Sequence, residues 1–203
     1  MKYLSKINRG AIFTAAVILA VIGYLIVNSI IQSREIPAIK QISESYIQAE
    51  IKYNMLPAQY RQEDPQIPET ELDSFLAKMK SDIVAFYPQQ EQYYKFAVDN
   101  RSNDLMSQAG GNNVVFQYTK TIVEYESIIF DKDIVDVKIL TNSTIEAEGL
   151  NPVGSLNREK VTQETQDNII LQKIDGEWKV IYAIIIRPSQ NDFREKTGAP
   201  VVR

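Results

Sequence analysis

No charged residue occurs between Arg9 and Arg34. Within that stretch, Ala11 to Ile31 is interrupted only by Thr14, Gly23, Tyr24, Asn28 and Ser29. About 20 apolar residues cross roughly 30 Å of hydrocarbon as a helix, so the run is long enough to span a bilayer. A secretory signal has a shorter apolar region, of about 7–15 residues, followed by a small-residue cleavage site. The sequence Asn28-Ser29-Ile30-Ile31-Gln32-Ser33 offers no such site, and there is no lipobox cysteine. A helix apolar on every face needs a protein or lipid environment all around it, and no comparable helix follows to supply the protein. The expectation is an uncleaved transmembrane helix over 11–33. Lys2, Lys6 and Arg9 precede it, and positive residues stay on the cytoplasmic side. Residues 1–10 are thus expected to form a cytoplasmic tail, with the rest of the chain outside the cell membrane.

Composition narrows the chemistry of that outer part. The chain has no cysteine and no histidine. Disulfides, thiolate metal sites, Ser-His-Asp and Cys-His nucleophiles and His-based zinc sites are therefore excluded. The net charge is −4, and the three basic residues of the first ten make the remainder more acidic still. Nucleic-acid binding needs concentrated positive charge and is not expected.

Pro37 should kink or restart the helix after the span. Ile39, Ile42, Tyr46, Ala49, Tyr53 and Leu56 then recur at helical spacing. Both a short coiled coil and a first helix packed on a sheet fit this stripe, and the Tyr and Ala in the seam favour packing. After "PQIPE", Thr70 with Asp73 three residues on resembles a capping box. The apolar face Leu72, Phe75, Leu76, Met79, Ile83 and Phe86 makes a second helix, ended by Pro88. The stretch from Gln89 to Gly111 reads as a short strand at Tyr93–Val98 and a short helix at Asn103–Gln108.

From Asn113 the period becomes two. Val114, Phe116, Tyr118 and Ile122 alternate with Gln117, Thr119 and Thr121. Asp131-Lys132-Asp133 makes a turn, and Val135, Val137 and Ile139 resume the alternation. "GLNPVGS" breaks the chain again before a polar strand, "REKVTQETQDNIILQKI". Asp175-Gly176 is a tight-hairpin signal. The last strand, Trp178 to Ile186, is apolar on both faces and reads as central and covered. Helices followed by strands give α+β, with helices on a curved sheet of at least four antiparallel strands. Domains are expected at 34–187, with a polar tail at 188–203.

The helical first half, the long meandering strands and the closing "IDGEWKVIYAIII" resemble the nuclear transport factor two-like superfamily. Asp175, Gly176, Trp178, Lys179 and Val180 match its D-G-x-W-K-V/I strand. The resemblance covers roughly residues 36–187 and implies a cone of helices wrapped by a bent sheet. The layout of short tail, single span and outer cone also resembles the inner-membrane scaffold subunit of type IV secretion and conjugation systems.

Superfamily enzymes resembling ketosteroid isomerases and polyketide cyclases use acids, Tyr or His at the open end of the cone. Here no spacing singles out an acid–Tyr pair, and no catalytic residue is assigned. Asp167 is in phase with Val161, Ile169 and Leu171 and so can face inward, although an edge strand in water is the plainer reading. Asp131 and Asp133 lack the glycine and third acid of a calcium loop. Neither a metal nor a cofactor is expected. A protein-binding membrane component is the favoured function, an assembly or scaffold part of a cell-envelope machine. Its partners would be the membrane and other envelope proteins, with a homo-oligomer left open. The alternative is a small-ligand or isomerase/cyclase-like pocket inside the cone, lined by Phe116, Tyr118, Asp167, Trp178 and Tyr182. An open cavity of about 300 Å3 or more, with converging Asp and Tyr, would favour that alternative.

Overall fold

The computed structural model describes residues 9–150 and 156–188. Lys2, Lys6, most of the "GLNPVGS" break and residues 189–203 lie outside the described residues. The chain divides into two compact units, one ending at Ile39 and the other beginning at Lys40.

Helix α1 runs Arg9–Lys52 with Pro37 inside it. The restart expected at Pro37 does not occur. A proline removes one rung of the hydrogen-bond ladder, and here the turns on either side carry the helix through. The apolar stretch of α1 is long enough to cross a membrane, and none of it is buried. Phe13, Leu19 and Tyr24 are each about two-thirds exposed or more.

In the second unit, α2 spans Glu69–Val84 and α3 spans Glu91–Ala109. Pro68, not Thr70, occupies the N-cap of α2. Its carbonyl accepts from the amides of Glu71 and Leu72, and Glu69 and Glu71 set negative charge against the positive helix end. The strand expected at Tyr93–Val98 and the short helix after it are one continuous helix. Only Val98, Leu105 and Gln108 of α3 are buried, a stripe too narrow and too polar to announce its period.

Four strands follow: β1 Val115–Asp131, β2 Ile134–Leu150, β3 Leu156–Ile174 and β4 Glu177–Ile184. They form an antiparallel meander in the order β1-β2-β3-β4. The fold is therefore α+β, as the change of period requires. Lys132 closes the first turn at φ 58, and Asp175 and Gly176 close the last at φ 51 and 87. Two consecutive left-handed residues give the twist of a tight hairpin, which is why Asp-Gly stands there. Three register shifts along β1 bend it.

One strand position differs from expectation and another agrees in part. β3 is paired with β2 along its whole length and with β4 over Asn168–Ile174. Its polar stretch before Asn168 has no β4 partner and is an open edge, as the plainer reading had it, whereas Asp167 at the junction is wholly buried. β4, read as central, is an edge strand, and its Tyr182 and Ile184 are about half exposed.

Odd-numbered residues of β2 and β3 face the core, as the two-residue period dictates. Val135, Val137, Ile139, Ile169 and Leu171 are fully buried, together with Ile47, Leu56, Met79, Ile83 and Leu105 from the helical half. The opposite face carries side-chain pairs. Thr144 meets Thr162 at 2.9 Å, Asn168 donates to Asp136 at 2.7 Å, and Gln172 donates to Asp133 at 3.1 Å.

Polar pairs also tie helix to helix. Tyr53 and Lys52 both donate to Asp82 on α2. These bonds, that of Tyr53 foremost, hold the Asp82 carboxyl below the usual carboxylate range. The folded value thus lies under the unfolded one, so this contribution is complete above about pH 4. It is lost as pH falls through the lower folded value. Asp82→Asn is expected to lower the urea midpoint at neutral pH and to flatten the acid limb of the midpoint plotted against pH, with the variant and native curves converging at low pH. An unaltered acid limb would show that Asp82 does not drive it.

Candidate functional site

The buried sheet face changes character partway along the strands. Past Ile139, β2 buries Thr141 and Ser143; β3 buries Asp167 and Thr165; β1 buries Tyr118 and Lys120. The register sets Lys120 opposite Ser143, Thr141 opposite Thr165 and Ile139 opposite Asp167. One half of the inner face is therefore hydrocarbon and the other half is polar.

At the centre of the polar half, the Lys120 ammonium donates to both Asp167 oxygens, at 2.7 and 2.6 Å. Both side chains are wholly buried. Such a pair persists only if its remaining hydrogen-bonding capacity is met. The chain beyond β4 meets it: Lys120 donates to the Ile186 carbonyl and the Ile186 amide donates to Asp167, both at 2.9 Å. Thr141 adds a third donor to Asp167 at 3.2 Å. Burial lowers the Lys120 pKa, with Asp167 opposing the shift. Burial, and then the Asp167 charge, push Tyr118 up to about 12.

A second network joins the helices to the same C-terminal segment. Arg101 of α3 pairs with Glu50 of α1 and donates to Asn54. Arg187 donates to Asn54 at 2.8 Å and to Asp104 at 2.9 Å. Gln108 donates to the Asn54 carbonyl at 2.9 Å and accepts from the Val115 amide at 3.2 Å, linking α3 to β1. Ile186 and Arg187 are thus held by two separate sets of charges.

Cavities open on both sides of Arg187. One, of about 570 Å3, lies between α3 and the ends of the strands, with Gln108, Ile145, Glu148, Glu159 and Val161 in its wall. The other, of about 450 Å3, lies between α3 and β4. Tyr46, Tyr87, Tyr93, Phe96 and Tyr182 line it, with Glu50, Arg101 and Asp104. Both exceed the threshold for a pocket set above, and the second gathers tyrosines about an acid.

The five residues expected to line a pocket are dispersed. Phe116 is buried beneath the Arg158 guanidinium, 4.4 Å from its ring centre, and faces a hollow formed with Arg61 and Asp64. Tyr118 lies in the polar half of the sheet and Asp167 in the buried ion pair. Trp178 is buried, with the Lys173 ammonium 5.5 Å from its ring centre. Tyr182 lies in the wall of the α3–β4 cavity. Sequence reasoning missed Lys120, Arg101, Tyr46 and Tyr87. Lys120 had a signal, because it occupies an inward phase between Tyr118 and Ile122. Among the described residues no group of acids could hold a metal ion.

No family model matches the chain, and no curated protein matches it. Solved structures do. The intermembrane-space region of the chloroplast protein ARC6 is 14% identical, with a TM-score of 0.32 over 61% of this chain and all of that one. The association domain of C. elegans CaMKII is 14% identical, with a TM-score of 0.30 over 56% of this chain and 88% of that one. An NTF-2-like protein of unknown function from Shewanella oneidensis is also 14% identical, with a TM-score of 0.31 over 57% and 97%. Likeness of this depth carries no conclusion about activity.

Proposed function

We propose that the chain is a single-pass membrane protein with a cytoplasmic N-terminus. Its domain over 34–187, of the nuclear transport factor two-like kind, stands outside the cell membrane and binds other envelope proteins. The observation that carries this reading is the wholly exposed apolar stretch of α1, which suits lipid and suits water poorly. Confinement to a membrane raises the effective concentration of weak partners. Exposed apolar residues on both sheet edges, Val123 and Ile129 on β1 and Tyr182 and Ile184 on β4, are where such partners would bind. A secretion or conjugation apparatus is the nearest layout analogy, and it rests on architecture alone.

The absence of native cysteine makes orientation directly testable. A membrane-impermeant maleimide applied to intact cells is expected to label Gln89→Cys and to spare Lys6→Cys. The reverse pattern would overturn the topology. A photo-reactive side chain at position 129 is expected to give a discrete adduct in membranes, lost when Val123 is replaced by glutamate. No adduct from either sheet edge would count against protein binding.

A further inference from the structure

The α3–β4 cavity has more hydrogen-bond donors than its own residues use. Tyr46 and Tyr87 are both buried, 2% and 6% exposed, and their hydroxyl oxygens lie 2.6 Å apart. Two hydroxyls carry two protons, and one bond between them consumes one. Whichever tyrosine donates, the other keeps a proton for which no described residue supplies a hydrogen-bond acceptor. Arg101, in the same wall, has a buried Nε without a partner among the described residues. Its other two nitrogens are taken by Glu50 and Asn54. Buried donors left unpaired are costly, and two of them belong to side chains of one cavity wall.

The surroundings limit what could answer them. The charged residues of the wall are Glu50, Asp104, Arg101 and Arg187, two of each sign and paired with one another. A charged guest would have to break that balance. The remaining wall carries two neutral amides, Gln92 and Asn100, and is otherwise aromatic and aliphatic, with Tyr93, Phe96, Tyr182 and Ile184 in it and Phe96 77% exposed at the rim. About 450 Å3 is within the range that holds small molecules. We propose that this cavity binds a small, uncharged, apolar molecule through a carbonyl-type oxygen, which accepts from the Tyr46–Tyr87 pair while the ring or chain lies against Phe96, Tyr182 and Ile184. The cavity shares Tyr182 and Ile184 with the β4 edge, whereas the adduct at position 129 on the β1 edge bears on protein binding alone.

Acetophenone enriched with 13C at the carbonyl is the probe, and isopropylbenzene is the comparison of like size without the oxygen. The full chain in lipid nanodiscs is titrated with each, and empty nanodiscs supply the partition background. Acetophenone is expected to bind roughly two- to tenfold more tightly, the range of one added hydrogen bond. Its carbonyl resonance should move downfield, as a donated hydrogen bond requires. In the Tyr46→Phe/Tyr87→Phe variant the preference and the shift should both vanish while isopropylbenzene still binds. Phe96→Ala changes only an exposed rim residue and should weaken both probes. Equal binding of the two probes by the native protein, or an unmoved carbonyl resonance, would overturn the proposal. So would a double variant that keeps the preference. Should that variant fold poorly, the native carbonyl shift together with the Phe96→Ala titration decides the matter.

Discussion

Replacing Lys120 with methionine is expected to destabilise the domain that holds the sheet by about 3–5 kcal/mol, the range for stranding one member of a buried ion pair. The loss has three parts. Asp167 would remain as an uncompensated charge, the Ile186 carbonyl would lose its donor, and the end of β4 would lose its hold on β1. Asp167→Leu should do comparable harm, since it strands the ammonium and the Ile186 amide together. The double replacement should cost clearly less than the two singles added, because two apolar side chains of similar bulk carry no charge to bury. It should not reach native stability, because both polar groups of Ile186 stay unpaired. Trp178 is the one tryptophan of the chain and stands on β4, so its fluorescence reports the relevant strand in urea titrations. A Lys120→Met protein with the native midpoint would show the pair to be idle.

The second large effect concerns α1. Arginine at the centre of a spanning helix costs about 2.5–3.5 kcal/mol on insertion scales. Leu19→Arg combined with Ile22→Arg is expected to move the protein from the carbonate-resistant membrane fraction to the soluble or degraded fraction. Both positions are exposed, so the substitutions remove no packing from the domain. Continued resistance to extraction would show that the helix is held by something other than lipid.

How well the sequence could be read depended on what kind of force held each element. Hydrophobic period marked the strands, since Val135, Val137 and Ile139 must share a face whatever else happens. Turn chemistry marked the hairpin at Asp175-Gly176, where backbone geometry admits few residues. α3 was illegible as one helix because its buried stripe is narrow and includes Gln108. β4 was misplaced, and the inward direction of Asp167 in β3 was obscured, for a related reason. An interior strand can be polar when its polar groups meet partners, as Asp167 and Asn168 do, and an edge strand can be apolar when a cavity and a helix lie beside it. Lys120 was hidden by the habit of reading a lysine as solvent-facing. Only its phase, shared with Tyr118, disclosed the inward direction. The tyrosine pair has no sequence signal, since Tyr46 on α1 and Tyr87 just after α2 are 41 residues apart and meet only through tertiary packing.

The meander has a consequence for how the domain comes into being. Every strand pairs only with its neighbour in the chain, so no closure of a long loop precedes any pairing. A polypeptide under synthesis emerges in order from its N-terminal end. β1 and β2 can zip from the Asp131–Asp133 turn before β3 has arrived, and each later strand finds a formed edge to join. The charges that grip Ile186 are then the last to be satisfied, so Lys120 and Asp167 serve as a completion check. Until the final residues of the domain are delivered, the sheet holds two charges it cannot comfortably bury.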